Sequence, residues 1–170
     1  MANADGGYTE INSWSDSQGN SDSSTKVYDV NGNLISDKGN NTYSYTGIDG
    51  TPETSTSEFN VEYAYVDGNL ATQTYTTTWE GGSDVTVYDA DWNMQSSTVT
   101  EGSKTTVYNS DWTIASTTTD LAALGGGTVE GDFTVYTESD GWGGETKYYT
   151  NTSDGALVKY EESYSGTYTY

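Results

Sequence analysis

Thr86-Val87-Tyr88-Asp89-Ala90-Asp91-Trp92-Asn93-Met94-Gln95-Ser96 returns 20 residues later as Thr106-Val107-Tyr108-Asn109-Ser110-Asp111-Trp112-Thr113-Ile114-Ala115-Ser116. Each copy leads from β-branched and aromatic residues into a short turn rich in acids and amides and centred on Asp-Trp. A second extended segment follows the turn. This pattern predicts a β-hairpin, repeated in tandem.

A looser third copy precedes these two and reads Lys26-Val27-Tyr28-Asp29-Val30-Asn31-Gly32-Asn33-Leu34-Ile35-Ser36. Asn31-Gly32 occupies the place of the Asp-Trp pairs. Asn-Gly is the strongest short-range signal for a two-residue hairpin turn. The sequence therefore predicts that the repeat unit is a hairpin, and that this copy reverses at Asn31-Gly32.

The rest of the chain also alternates between strand and turn patterns. Residues 57–66 form the best alternating strand, with Phe59, Val61, Tyr63 and Tyr65 on one side. Further strands are predicted at 128–138, 144–150, 156–163 and 164–170. Turn residues mark the predicted reversals, which lie at Lys38-Gly39-Asn40, Asp49-Gly50-Thr51-Pro52, Asp67-Gly68, Glu80-Gly81-Gly82-Ser83, Glu101-Gly102-Ser103, Asp140-Gly141 and Asp154-Gly155.

About a dozen short strands joined by tight turns predict sequential antiparallel pairing. The expected fold is an all-β antiparallel meander of tandem β-hairpin repeats, elongated or solenoid-like. The alternative is a β-sandwich or barrel with Tyr and Trp inside. The 20-residue spacing favours the repeat array. So does the small number of Leu, Ile, Val and Phe, 22 of 170 residues, because a two-sheet core needs more of them.

Three regions are expected along the chain. Residues 1–7 are predicted to be a tail without the basic and apolar segments of a targeting signal, and residues 8–124 a hairpin-repeat β domain. Residues 125–170 continue it with C-terminal hairpins, and a single domain is the other possibility. Between these parts, residues 120–127 predict a helical turn ended by glycine.

The charge composition restricts the possible functions. The chain has 26 Asp and Glu against 5 Lys, a net charge of -21, and no Arg, His or Cys. An acidic surface repels phosphates, so nucleic-acid binding is not expected. Anionic membranes are disfavoured, and no apolar run is long enough to predict membrane insertion.

The same composition limits catalysis and metal chemistry. Without Cys and His the chain cannot build thiolate or imidazole zinc sites, or Ser-His-Asp and Cys-His nucleophiles. Paired carboxylates could hydrolyse glycosides, but some pair is always close among 26 acids. We therefore predict that the protein is not an enzyme and has no catalytic residues.

Residues 28–34, followed by Gly39 and Tyr43-Ser44-Tyr45, resemble the YD repeats of bacterial Rhs and teneurin-like proteins. This resemblance implies a shell of β-hairpins. The whole Thr/Tyr/Asp hairpin array is similar to segments of large secreted bacterial adhesins and calcium-dependent RTX surface proteins. Residues 125–130 do not satisfy the Gly-Gly-x-Gly-x-Asp repeat of RTX regions. These resemblances imply an extracellular repeat protein and no particular reaction.

Calcium is the cofactor that the turns suggest. Oxygen-bearing side chains recur at every second position and can converge around a tight turn on one ion. The other interpretation is that turns favour Asp and Asn for their own hydrogen bonds. The candidate metal ligands are Asp29, Asn31, Asn33, Asp89, Asp91, Asn93, Asn109 and Asp111.

Four tryptophans, Trp79, Trp92, Trp112 and Trp142, are candidates for exposed aromatic residues. Trp92 and Trp112 occupy equivalent turn positions and would lie on the same edge of the array. They could bind surface glycans by stacking. The alternative is that they cover a thin core and pack across neighbouring hairpins.

Together these features predict an extracellular or cell-surface protein with a structural, adhesive or self-assembling role. Self-association would occur by pairing of edge strands at residues 8–14 and 164–170, and calcium would stabilise it. The alternative function is a carbohydrate-binding module that uses the turn tryptophans. Loss of Trp92 and Trp112 distinguishes the two functions. It should remove glycan retention from a carbohydrate-binding module and assembly from a self-assembling protein.

Overall fold

The computed structural model describes residues 1–139 and 144–164. The chain divides into two compact units, residues 1–118 and 119–170, whereas the predicted boundary follows residue 124. The predicted all-β antiparallel meander is confirmed. Two predicted features lie outside the described residues: the turn at Asp140-Gly141 and the C-terminal strand at 164–170, of which only residue 164 is described.

The first sheet has nine strands that follow one another in chain order. In the described part of the chain this sheet is open and is not closed into a barrel. Its strands are β1 (Tyr8–Ser15), β2 (Ser21–Tyr28), β3 (Leu34–Thr46), β4 (Pro52–Val66), β5 (Asn69–Trp79), β6 (Gly82–Asp89), β7 (Met94–Glu101), β8 (Lys104–Asn109) and β9 (Ile114–Thr119).

The second unit begins with a short 3₁₀ helix at Leu121–Leu124. Asp120 caps it by accepting a hydrogen bond from the Ala122 N–H, and Gly125 follows with φ 83°, which confirms the predicted glycine-ended turn. The strand predicted at 128–138 is divided by a turn at Gly131 and Asp132. Four strands form the second sheet: β10 (Thr128–Glu130), β11 (Phe133–Ser139), β12 (Gly144–Asn151) and β13 (Leu157–Tyr164).

The two faces of the nine-stranded sheet differ, because cross-strand partners share a face. Phe59, Val61 and Tyr63 of β4 pair with Thr77, Tyr75 and Gln73 of β5, as the alternation in β4 predicts. We call the face that carries Tyr63, Tyr75, Tyr88 and Tyr108 the aromatic face. The opposite face is rich in threonine, including Thr72, Thr74 and Thr76 of β5.

Burial in this sheet comes from neighbouring side chains within one face. In one cross-strand row, Thr86 and Ser97 lie between Tyr75 and Tyr108. Thr86 is 3% exposed and Ser97 is 1% exposed. Small residues flanked by tall aromatic rings lose contact with water without a second layer. Both hydroxyls donate to Asp84 Oδ1, at 2.9 and 3.0 Å, so their burial leaves no unpaired donor.

The turn predicted at Lys38-Gly39-Asn40 is wrong, because these residues lie inside β3. Gly39 pairs with Ser24 on one side and Phe59 on the other. A Cβ at this position would collide with the Ser23 carbonyl and lie 2.9 Å from Phe59 Cε1. Glycine is required here by close packing within a strand and not by chain reversal.

Residues 1–7 also differ from the predicted tail. Ala2 forms a β-bridge with Tyr8, and the Thr9 N–H donates to the Met1 carbonyl at 2.7 Å. The Asn3 side chain accepts a hydrogen bond from the Thr9 hydroxyl at 2.9 Å. The segment therefore folds back along the beginning of β1.

Candidate functional site

Six five-residue turns share one backbone geometry. In each turn the N–H of the first residue donates to the carbonyl of the fifth, and the N–H of the fourth donates to the carbonyl of the first. The fourth residue has positive φ, as expected for a three-residue hairpin loop that ends in a left-handed residue. These turns span residues 3–7, 16–20, 29–33, 47–51, 89–93 and 109–113.

The two-residue reversal predicted at Asn31-Gly32 is therefore wrong. The loop contains the three residues between Asp29 and Asn33, and Gly32 takes the left-handed position with φ 83°. The equivalent turn at 16–20 was missed, although Asp16-Ser17-Gln18-Gly19-Asn20 shares an Asp-x-x-Gly-Asn pattern with residues 29–33. That pattern is the signal that could have identified it.

An aspartate closes the turn when it occupies the first position. Asp29 Oδ1 accepts the N–H groups of Asn31 and Asn33, both at 2.8 Å, and Asp29 Oδ2 accepts Asn33 Nδ2 at 2.9 Å. Asp16 makes the same three bonds to Gln18 and Asn20. The carboxylate thus satisfies loop donors that would otherwise depend on water.

Asp89 repeats this arrangement in the first central copy. Its Oδ1 accepts the N–H groups of Asp91 and Asn93, both at 2.9 Å. Its Oδ2 accepts Asn93 Nδ2 at 3.0 Å and Gln95 Nε2 at 3.2 Å. These contacts place two carboxylates and two amides at one turn.

The 109–113 turn uses a different acceptor because Asn109 replaces the first aspartate. Asp111 Oδ1 accepts the Thr113 N–H at 3.0 Å and the Thr113 hydroxyl at 2.5 Å. Asn109 Nδ2 donates to the same hydroxyl at 3.0 Å. Asp49 and Thr51 make the corresponding pair of bonds in the 47–51 turn.

These hydrogen bonds hold the turn carboxylates in their charged form. The side-chain bond from Asn33 is the largest cause that lowers the pKa of Asp29 below its ordinary value of 3.8. Asn93 likewise lowers the pKa of Asp89, and Thr113 lowers that of Asp111. The carboxylates are thus both negatively charged and committed to the turn.

The eight predicted metal ligands fall into three separate turns. Within residues 1–139 and 144–164, no three acidic side chains converge as a metal centre would require. Asp29 and Asp89 already accept hydrogen bonds on both oxygens. A cation at these turns would therefore share oxygens with those bonds or displace them. Calcium binding stays a prediction.

Trp92 and Trp112 occupy the left-handed position that glycine occupies in the other four turns, with φ 65° and 64°. Trp92 contacts Tyr75 and Tyr88, with ring centroids 5.8 and 6.0 Å apart. Trp112 contacts Tyr108, with centroids 6.1 Å apart. Since these tyrosines lie on the aromatic face, both indoles lean over that face. Sequence reasoning identified the tryptophans but missed their tyrosine partners.

The other two tryptophan candidates differ from this pair. Trp79 is half-buried and packs across Gly82, where a Cβ would lie 2.8 Å from indole carbons. Trp142 lies outside the described residues. Trp14, not among the candidates, is 58% exposed in β1. Of the tryptophans that the structure describes, only Trp92 and Trp112 are both exposed and placed at equivalent positions of repeated turns.

Comparison of this chain with protein-family models, curated proteins and solved structures found no match. The resemblances to YD repeats and to adhesin segments therefore stay predictions. In the described residues, no helix has the length and apolar character needed to cross a membrane.

Proposed function

We propose that this protein is a structural, self-assembling β-repeat protein whose copies join by pairing of sheet edges. The observation that carries the proposal is the open nine-stranded sheet, whose two edge strands in the described part of the chain are β1 and β9. Edge strands present backbone N–H and C=O groups on which another strand can form hydrogen bonds.

Beyond the covered start of β1, these edges lack the prolines and charged side chains that usually prevent such pairing. Neither β1 nor β9 contains Pro, Lys or Arg, and Glu10 is the one charged residue in their combined sequences. Ile11 on β1 and Ile114 on β9 are 65% and 63% exposed. The chain has a net charge of -21, so its copies repel one another. This repulsion opposes association least at the two edges, because they carry almost no charge.

The topology also favours one mode of association. Because the meander has nine strands of alternating direction, β1 and β9 run the same way. Antiparallel pairing of β9 with β1 of the next copy therefore requires that copy to be turned over by a half rotation about the direction in which the sheet grows. This contact is heterologous, so it leaves a free edge at each end and permits an open filament. Residues 1–9 already pair locally, so residues 10–15 provide the available part of β1.

Cations should promote association by screening the negative charge of the copies. Mutual repulsion between acidic copies opposes association, and salt shortens its range. Calcium is the cation that the acidic turns predict, and it would act more strongly than sodium if it binds there. An extracellular or cell-surface setting is part of the proposal and is supported by the composition, which has no Cys and is rich in acids, Thr and Gly.

The test is light scattering across protein concentration and NaCl, repeated with CaCl₂ at matched ionic strength. We expect mass to grow with concentration and salt. Ile11→Lys or Ile114→Lys should reduce the growth by placing a charge on one edge. Val30→Lys is the matched control, since Val30 is 68% exposed in a turn. A strictly monomeric protein under all conditions, or equal weakening by Val30→Lys, would refute the proposal.

A further inference from the structure

Trp92 and Trp112 are large apolar surfaces that the fold leaves open. They are 60% and 61% exposed, although each indole contacts a tyrosine of its own hairpin, Tyr88 or Tyr108. The centroid distances of about 6 Å and the interplanar angles of 51° and 58° describe tilted contacts and not face-to-face stacking. Much of each indole is therefore available to a ligand.

The two indoles lie on the same face and at the same end of the sheet. Their turns connect β6 to β7 and β8 to β9, so they are two strands apart in the sheet order. With neighbouring strands about 4.8 Å apart, the turns are separated by roughly 9.6 Å. This separation suits a chain-like ligand that covers both rings, because one small ring could contact only one of them.

Polar groups beside the indoles define the ligand chemistry further. Asp89, Asn93 and Gln95 are linked by hydrogen bonds next to Trp92, and Asp111 with Thr113 lies next to Trp112. Carboxylates accept hydrogen bonds from hydroxyl groups, and side-chain amides both accept from them and donate to them. Neither turn contains a Lys, and the acidic chain repels anions. A neutral, polyhydroxylated chain with flat apolar ring faces fits both properties.

We propose that Trp92 and Trp112, backed by Tyr88 and Tyr108, form a two-ring platform that binds an extended neutral polysaccharide. This activity goes beyond assembly and does not depend on it, because the platform lies at the turns and not on β1 or along the outer edge of β9. Engaging both rings along one chain gives a bivalent contact, so the loss of either ring should weaken binding more than the loss of its contact area alone.

The turn geometry supplies a variant that removes the ring without straining the backbone. Four of the six turns carry glycine at this position, so Trp92→Gly and Trp112→Gly retain a residue suited to positive φ. Trp14→Ala is the control, because Trp14 is 58% exposed but lies in β1, outside the platform. Circular dichroism confirms that each variant is folded before binding is measured.

Binding is measured by affinity electrophoresis and calorimetry on soluble β-glucan and chito-oligosaccharides, with anionic alginate and cationic chitosan as charge comparisons. We expect retention by a neutral probe, a loss of about tenfold or more in each single variant, and no retention in the double variant. Trp14→Ala should bind normally.

Three results would overturn the proposal: no neutral probe is retained by the unmodified chain, the double variant retains it unchanged, or only chitosan is retained. The last result would indicate attraction of cations by the acidic surface alone. Repeating the measurement on Ile11→Lys separates this proposal from edge assembly, since that variant lies on β1, away from the platform, and should lose association and keep glycan retention.

Discussion

Trp92 occupies the same turn position as Gly32, with φ 65° against 83°. Left-handed backbone is costly for a residue with a Cβ and is free of this cost for glycine. A tryptophan in this position is therefore held there against a local backbone preference. Its contacts with Tyr75 and Tyr88 offset part of the free-energy cost of the left-handed backbone.

This relationship predicts an unusual order of stabilities. Trp92→Gly should be more stable than Trp92→Ala by about 1 kcal/mol, because only the alanine variant keeps the left-handed strain after the ring is lost. Urea denaturation followed by circular dichroism measures the difference. Gly32→Ala is the reciprocal control: no atom lies within 4 Å of a Cβ there, so any loss of stability comes from φ alone.

Acid should remove the stabilising effect of the Asp29 carboxylate. Because the hydrogen bond from Asn33 lowers the pKa of Asp29 below 3.8, its contribution is complete above that pH and is lost as pH falls through the lower folded-state value. We expect Asp29→Asn to be less stable than the unmodified chain at pH 7, with the difference shrinking as pH falls below 3.8, the ordinary pKa of the carboxyl.

Asp67→Asn is the control for this experiment, because Asp67 lies in a two-residue turn between β4 and β5. Thermal unfolding of the three proteins across pH supplies the comparison. An Asp29→Asn difference that persists unchanged in acid would show that the carboxylate charge does not stabilise the turn.

Alkaline pH should destabilise the fold through the buried tyrosines of the aromatic face. Burial first, and then the neighbouring Tyr75, raise the pKa of Tyr63 from 10.0 to about 12. A raised tyrosine pKa gives stability that is complete below pH 10 and is lost as pH rises towards 12. Tyr63→Phe should make the alkaline loss less steep, whereas Tyr43→Phe, at a 59% exposed tyrosine, serves as the control. Tyrosinate absorbance and circular dichroism measured together test this order.

Gly39 should tolerate no side chain. Gly39→Ala places a Cβ against the Ser23 carbonyl and Phe59, and we expect a loss of about 1–3 kcal/mol, as in other overpacked sites. Gly126→Ala is the control, because nothing lies within 4 Å of a Cβ at that position. Equal stability of the two variants in urea would contradict the packing described for β3 and β4.

Gln73 offers a stabilising substitution. The residue is 1% exposed and its Nε2 has no hydrogen-bond partner in the described chain. An unpaired buried donor is costly, so Gln73→Met, similar in size and without that donor, should raise stability by about 1 kcal/mol. Gln18→Met at an exposed turn position should change little. A fall in stability for Gln73→Met would indicate that the amide is satisfied in solution.

Hairpin architecture was readable because it depends on local signals. The alternation of residues 57–66 predicts which side chains of β4 share a face, and the repeated phrase at 86–116 predicts two hairpins. The length of the loop at Asn31-Gly32 could not be read from the sequence. The same Asn-Gly pair fits a two-residue loop and also the last two positions of a three-residue loop. Gly39 was predicted to lie in a turn because its neighbours in the sequence are turn residues. Glycine is needed there because Ser23 and Phe59, which are distant in sequence, leave no room for a side chain.

The sequence by itself determined the all-β class, the order of the hairpins and the acidic character of the surface, since periodicity, turn residues and charge act over short range or by composition. Tertiary structure decided which side chains are buried: Gln73 and Ser97 are covered by neighbours from adjacent strands. It also brought Tyr75 to Trp92 across the sheet. Pairing between strands sets these contacts, because it places residues far apart in the chain within one row of a face.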